Sequence, residues 1–274
     1  MKRLVTAFRA VVVLVLALGC SQAPQARAMV SPVTHIPVLD YHGISIEPLK
    51  VSYAPFNVDL PAFRQQMSWL HSQGYQTITA DQYVKWIYGQ PVSLPAKPIL
   101  ITFDDGRIDS PLALPVLHQY GYNATMFAVT QFADEGSAGN KSWESWDQLV
   151  SNGWDLQFHA GAKGHSTPGN PYYCRASLAD SQKDITNGLA ELKAKTGVTS
   201  QTWAVPNGCW TASLVQWAAT KFKVIWLEGS MPDAATAKQY HMRYRVEIAN
   251  GQYEKLSYLQ SQISDPRFDL NGGF

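Results

Sequence analysis

The chain has 274 residues, a formal net charge of +1 and 16% charged residues against 46% hydrophobic ones. With no basic run after Arg27, that balance argues against electrostatic capture of nucleic acid. The length suits one large domain with a substantial core once a leader is set aside.

Met1-Lys2-Arg3 is basic and precedes an apolar stretch from Ala10 to Leu18, too short for a membrane span and right for a secretory leader. Ala26-Arg27-Ala28 offers an A-x-A cleavage site, giving a leader over 1–28 and a mature domain over 29–274. Ala17-Leu18-Gly19-Cys20 offers a lipoprotein ending instead, with a lipid anchor on Cys20. Either ending predicts a protein secreted or held at a bacterial cell surface.

From Ile36 onward, strand-like and helix-like segments alternate. Strands are predicted at 36–41, 76–78, 99–103, 124–129, 154–158, 202–205, 223–227 and 244–248. Helices are predicted at about 60–72, 79–88, 112–120, 145–151, 178–195, 211–222 and 254–263. Asp59 and Pro61 open the first helix and Gly74 stops it; Gly197 follows the long one. About seven or eight βα units with short connections imply a parallel sheet covered by helices. At this length the expectation is an α/β fold, a distorted or incomplete (β/α) barrel of about seven parallel strands. No dinucleotide fingerprint or P-loop favours an open doubly wound sheet.

Polar residues then collect at strand ends. His42 follows the first strand, Asp104 and Asp105 the third, His159 the 154–158 strand, and Pro206-Asn207-Gly208 the 202–205 strand. In a (β/α) barrel those ends build the active site. Adjacent carboxylates there are costly without a partner, although Asp-Asp-Gly is also good turn chemistry. His159 and His165 are six apart, too far for one helix face, but Gly161 and Gly164 permit a loop that folds them together. With Asp105 they form a three-ligand set for Zn²⁺ or a similar divalent ion, Co, Ni and Mn included, with a position left for water. Cys174 and Cys209 are an even pair in an oxidising compartment, which suggests a disulfide, though two unrelated buried thiols would read the same way.

Thr102-Phe103-Asp104-Asp105-Gly106 resembles in full the first motif of polysaccharide deacetylases of the NodB-homology type, carbohydrate esterase family four. Pro37-Val38-Leu39-Asp40-Tyr41-His42-Gly43-Ile44 resembles the branch containing the poly-N-acetylglucosamine deacetylases. The resemblance implies that Asp104 is the catalytic base, Asp105 a metal ligand, and the Asn207 backbone N–H part of an oxyanion hole. Three departures stand out. The family's second motif places its second His four after the first, where this chain has Lys163, so His165 takes that role at wider spacing. The third motif's Arg, which orients the base, is missing from Trp203-Ala204-Val205-Pro206-Asn207-Gly208. The family's late acidic His is not evident either; Tyr244-Arg245-Val246-Glu247-Ile248 occupies that strand.

The implied reaction is removal of N-acetyl groups from an amino-sugar polysaccharide by a metal-activated water, with Asp104 taking its proton. His42 is a candidate acid for the leaving amine, or an orienting group, and Glu228 a weaker candidate. Trp203, Trp210 and Tyr173 are the candidates to line a sugar cleft, although such aromatics are more often core than sugar platforms. The missing Arg keeps open a catalytically impaired, carbohydrate-binding relative of these enzymes. A glycosidase would need two carboxyl groups facing each other across a bond, which adjacent Asp104 and Asp105 do not suggest.

Overall fold

The computed structural model describes residues 33–46, 56–135, 143–165 and 171–270. The expected leader over 1–28, its cleavage site and Cys20 lie outside the described residues. No described helix is long and apolar enough to cross a membrane.

Seven parallel strands close into a barrel: β1 (Val38–Tyr41), β5 (Pro98–Phe103), β6 (Thr125–Val129), β7 (Asp155–Ala160), β8 (Thr202–Ala204), β9 (Val224–Glu228) and β10 (Met242–Glu247). Closure is made by β1, which pairs in parallel with β5 on one side and β10 on the other. A short β4 (Gln76–Thr77) pairs with the first two residues of β5. Outside the barrel, β2 (Gly43–Ser45) pairs with β3 (Asn57–Asp59). Strands buried on both faces read as continuous apolar runs, which is why 98–103, buried throughout, was legible as Pro-Ile-Leu-Ile-Thr-Phe.

The helices are α1 (Leu60–Ser72), α2 (Ala80–Ile87), α3 (Leu114–Gln119), α4 (Thr130–Glu135), α5 (Trp143–Ser151), α6 (Leu178–Thr196), α7 (Ala212–Ala218), α8 (Ala234–Gln239) and α9 (Leu256–Gln262). Their ends follow local chemistry. Thr79 and Gln82 form a reciprocal cap on α2, and Ser177 caps α6, which stops at left-handed Gly197.

Several expected boundaries shift. α4, α8 and the β2–β3 pair were not expected. The helix expected over 211–222 ends at Ala218, because Thr220 and Lys221 donate to carbonyls three residues back and tighten the last turn. β7 runs two residues past its expected end, so His159 sits inside the strand rather than after it. Glu228 likewise becomes the last residue of β9.

Candidate active site

At the end of β5 the chain turns on two successive left-handed residues, Asp105 (φ 73°) and Gly106 (φ 74°). A Cβ on Gly106 would run into the Trp146 indole, so the corner needs glycine on two counts. Asp104 is still in register, donating its N–H to the Tyr41 carbonyl at 2.8 Å. Both carboxylates are nearly buried.

Arg245, on β10 and 0% exposed, grips Asp104 with both terminal nitrogens, Nη1 to Oδ1 and Nη2 to Oδ2, each at 2.7 Å. Its Nη1 also donates to Asp40 Oδ1 on β1 at 3.0 Å and to the Thr102 hydroxyl at 3.1 Å. The guanidinium lies 5.1 Å from the Phe127 ring centroid. The hydrogen-bonded neighbours of β10 are β1 and β9, so its contacts with β5 and β6 run across the barrel interior. Burial opposes the charged form of Asp104, but Arg245, then His159, outweigh it and hold the carboxyl below the usual range. The expectation that nothing orients Asp104 is therefore corrected: the side chain that Ala204 lacks on β8 is present on β10. Sequence reasoning missed it, because β10 reads Met-Arg-Tyr-Arg-Val-Glu and nothing local tells which of its charges faces the barrel interior.

Asp105, His159 and His165 offer ligand atoms that all lie within 4.8 Å of one another. Nε2 of His165 stands 2.9 Å from Asp105 Oδ1, and Nε2 of His159 stands 3.5 Å from the same oxygen. His159 Nδ1 is 2.9 Å from the Ala204 carbonyl, a contact that requires the proton on Nδ1 and leaves a lone pair on Nε2. Burial lowers the His159 pKa and keeps the ring neutral, as a ligand must be. For His165, burial pulls downward and the facing Asp105 carboxylate more than reverses it, so its pKa is raised. Burial likewise works against the Asp105 charge, yet His165 beside it holds the carboxyl well below the usual range. Imidazole lone pairs and a carboxylate converging on one point favour a cation between them, so these residues fit a divalent metal.

Residues 92–223 match the family model for polysaccharide deacetylases, a stretch that includes Asp104, Asp105, His159, His165 and Asn207. That stretch, just under half of the chain, is similar to polysaccharide deacetylase domains. YxkH of Bacillus subtilis (strain 168), named as a candidate polysaccharide deacetylase, is 31% identical over 156 residues, 56% of this chain. The aligned part spans 52% of that relative's own length, about half. Among solved structures, the deacetylase PplD of Streptococcus pyogenes, determined with acetate, superposes with a TM-score of 0.70 at 22% identity, over 85% of this chain and 100% of that one. IcaB of Ammonifex degensii gives a TM-score of 0.66 at 21% identity, over 83% and 98%. At these identities the two structures speak for a shared fold.

The loop carrying His165 is pinned from α6. Asp184 accepts from the Lys163 N–H and the Tyr173 hydroxyl, both at 2.8 Å. Cβ atoms on Gly161 or Gly164 would collide with Asp184 and Tyr173 respectively. Cys174 and Cys209 form a disulfide with Cα atoms 5.5 Å apart, joining this region to the turn after β8. Asn207 is exposed and left-handed (φ 57°) in that turn. Two expected cleft aromatics are corrected. Trp203 is 0% exposed with its indole N–H donated to the His159 carbonyl, and Tyr173 is 1% exposed with its hydroxyl on Asp184. Both pack the core that supports the ligands; neither offers a face to a sugar. Trp210 is partly exposed. His42 stacks obliquely on Phe56 at 5.3 Å and lies near enough to Asp104, Asp105 and Glu247 to act on their charge.

Proposed function

We propose that this protein is a secreted, metal-dependent hydrolase that removes N-acetyl groups from an amino-sugar polysaccharide of the cell envelope. The observation that carries the reading is the split between neighbours: Asp104 locked onto Arg245, Asp105 grouped with two imidazoles. A divalent ion held by Asp105, His159 and His165, zinc first and Co, Ni or Mn after it, would polarise the acetyl carbonyl and acidify a water. Asp104, kept ionised and fixed by Arg245, takes the proton of the attacking water. The Asn207 N–H donates to the oxyanion that develops on the carbonyl oxygen. His42 lies at the same mouth, where an orienting role fits its reach to both carboxylates. The disulfide supports export, since such bonds persist in oxidising compartments. Arg245 weakens the alternative of an impaired sugar-binding protein, because that reading drew on a base without support.

The test is acetate release from N-acetylglucosamine polymers, chitin oligomers, peptidoglycan and acetylated xylan, with each metal supplied in turn. Release from an amide-linked polymer, lost in Asp104→Asn, is expected. No release from any of them by wild-type protein would overturn the enzyme reading.

A further inference from the structure

His42 Nδ1 is buried and has no hydrogen-bond partner among the described residues. A histidine ring is ordinarily oriented through a bond at one of its nitrogens, so another device must aim this one. Tyr41 stands opposite Phe103 where β1 pairs with β5, and His42 therefore leaves β1 beside Asp104. Its ring packs on Phe56, tilted by 34° with centroids 5.3 Å apart. Where the ring points is then set by the backbone path through His42 and Gly43 and by the placement of Phe56.

Asp109 governs both. Its Oδ1 accepts from Arg107 Nε at 3.2 Å, and its Oδ2 from Arg107 Nη2 at 3.0 Å and the Asn57 amide at 2.9 Å. Asn57 follows Phe56 and opens β3, and the same amide reaches Ser45 Oγ of β2 at 3.0 Å. Gly43 lies flat against the carboxylate: a Cβ there would sit 2.5 Å from Asp109 Oδ1 and 2.7 Å from Asn57 Oδ1. Ser110, next in the chain, donates its hydroxyl to the His42 carbonyl at 2.7 Å. The Arg107 and Asp109 side chains are 7% and 14% exposed, so water screens their pairing little and the arrangement is held more firmly than a surface ion pair.

We propose that Asp109 is a positioning residue, fixing the His42 imidazole beside Asp104 by holding Gly43 on one side and Asn57, hence Phe56, on the other. This inference rests on the deacetylase reading above and adds to it a residue outside the Asp105, His159 and His165 group. Those three have supports of their own. The Gly106 corner packs on Trp146, His159 lies inside β7, and the His165 loop hangs on Asp184. Loss of Asp109 should therefore displace His42 and leave a bound metal in place.

Zinc-loaded wild type, Asp109→Asn, His42→Gln and the double variant are compared in acetate release from N-acetylglucosamine oligomers, with bound zinc measured alongside. Asp109→Asn keeps the size of the side chain and removes the charge that meets Arg107. It is expected to lower kcat about tenfold or more, with KM and zinc content close to wild type. In the His42→Gln background the same change should cost less than about twofold, because a residue acting through His42 has nothing left to place. Gly43→Ala sets a methyl against the carboxylate with every charge intact and should reproduce the loss. Where Asp109→Asn does not fold, Gly43→Ala carries the same double-variant comparison. Independently of turnover, the His42 ring signal in protein carrying isotope-labelled histidine, assigned by its loss in His42→Gln, bears the ring-current shift of Phe56. Asp109→Asn and Gly43→Ala should move that signal while those of His159 and His165 hold. Additive losses in the double variant, an unchanged kcat, zinc lost from a folded Asp109→Asn, or an unmoved His42 signal would overturn the inference. Wild-type protein that binds zinc and shows the His42 shift, yet releases no acetate, would overturn the deacetylase reading and leave the placement of His42 by Asp109 standing.

Discussion

Arg245 is one positive charge set among Asp40, Asp104 and Glu228 in the middle of the barrel. Removing it leaves buried carboxylates uncompensated, which costs about 3–5 kcal/mol where a buried pair is broken. Arg245→Met should therefore lower unfolding stability by roughly that amount, measured by denaturant titration. Arg245→Lys is the more telling variant. A lysine keeps the charge but cannot form the two-pronged contact with Asp104, so kcat should fall at least tenfold with KM little changed, read from steady-state acetate release. At this scale Asp104 and Asp105 were legible because they end an apolar run, and His159 and His165 because glycines flank the intervening loop. Arg245 was not, because its contact with Asp104 joins residues 141 apart in sequence and no local pattern marks such a pairing.

Among the elements, β7 does two jobs: it carries His159 and fastens β8 beside it. Gln157 Oε1 accepts from the Ser200 hydroxyl at 2.9 Å, the Gln201 N–H at 3.0 Å and the Thr202 N–H at 3.1 Å. Asp155 opens the strand and accepts from the Ala80 N–H at the start of α2, at 3.1 Å. Burial raises its pKa although Gln157 and the Ala80 N–H pull the other way. A carboxyl whose folded-state pKa is raised contributes stability below its unfolded pKa and loses it as pH rises through the folded one. Wild-type stability relative to Asp155→Asn should therefore decline from acid toward neutral pH, checked by denaturant midpoints across that range. The Cys174–Cys209 bridge closes a 35-residue separation, and Cys174→Ser should cost about 2–4 kcal/mol in thermal or chemical unfolding. Elements were legible where burial on both faces made apolar runs or where caps marked helix ends. Short pieces such as α4, α8 and β2 escaped, because six residues or fewer carry too little periodicity.

At the scale of the whole molecule, closure of seven strands brings β5, β7, β8, β9 and β10 around one mouth. The alternation of strands and helices made that architecture legible, since parallel strands need helical crossovers. Which side chains meet across the interior was not legible, because the facing strand is set by barrel closure rather than by neighbouring residues. The proposed function divides the labour between adjacent carboxylates, Asp104 as base and Asp105 as ligand, and one experiment separates their roles. Bound zinc and acetate release from an N-acetylglucosamine polymer are measured together in wild type, Asp104→Asn and Asp105→Asn. The prediction is that Asp104→Asn keeps its zinc and loses turnover by a factor of about 100 or more, while Asp105→Asn loses both. Zinc retained by Asp105→Asn, or acetate released at the wild-type rate by Asp104→Asn, would contradict it.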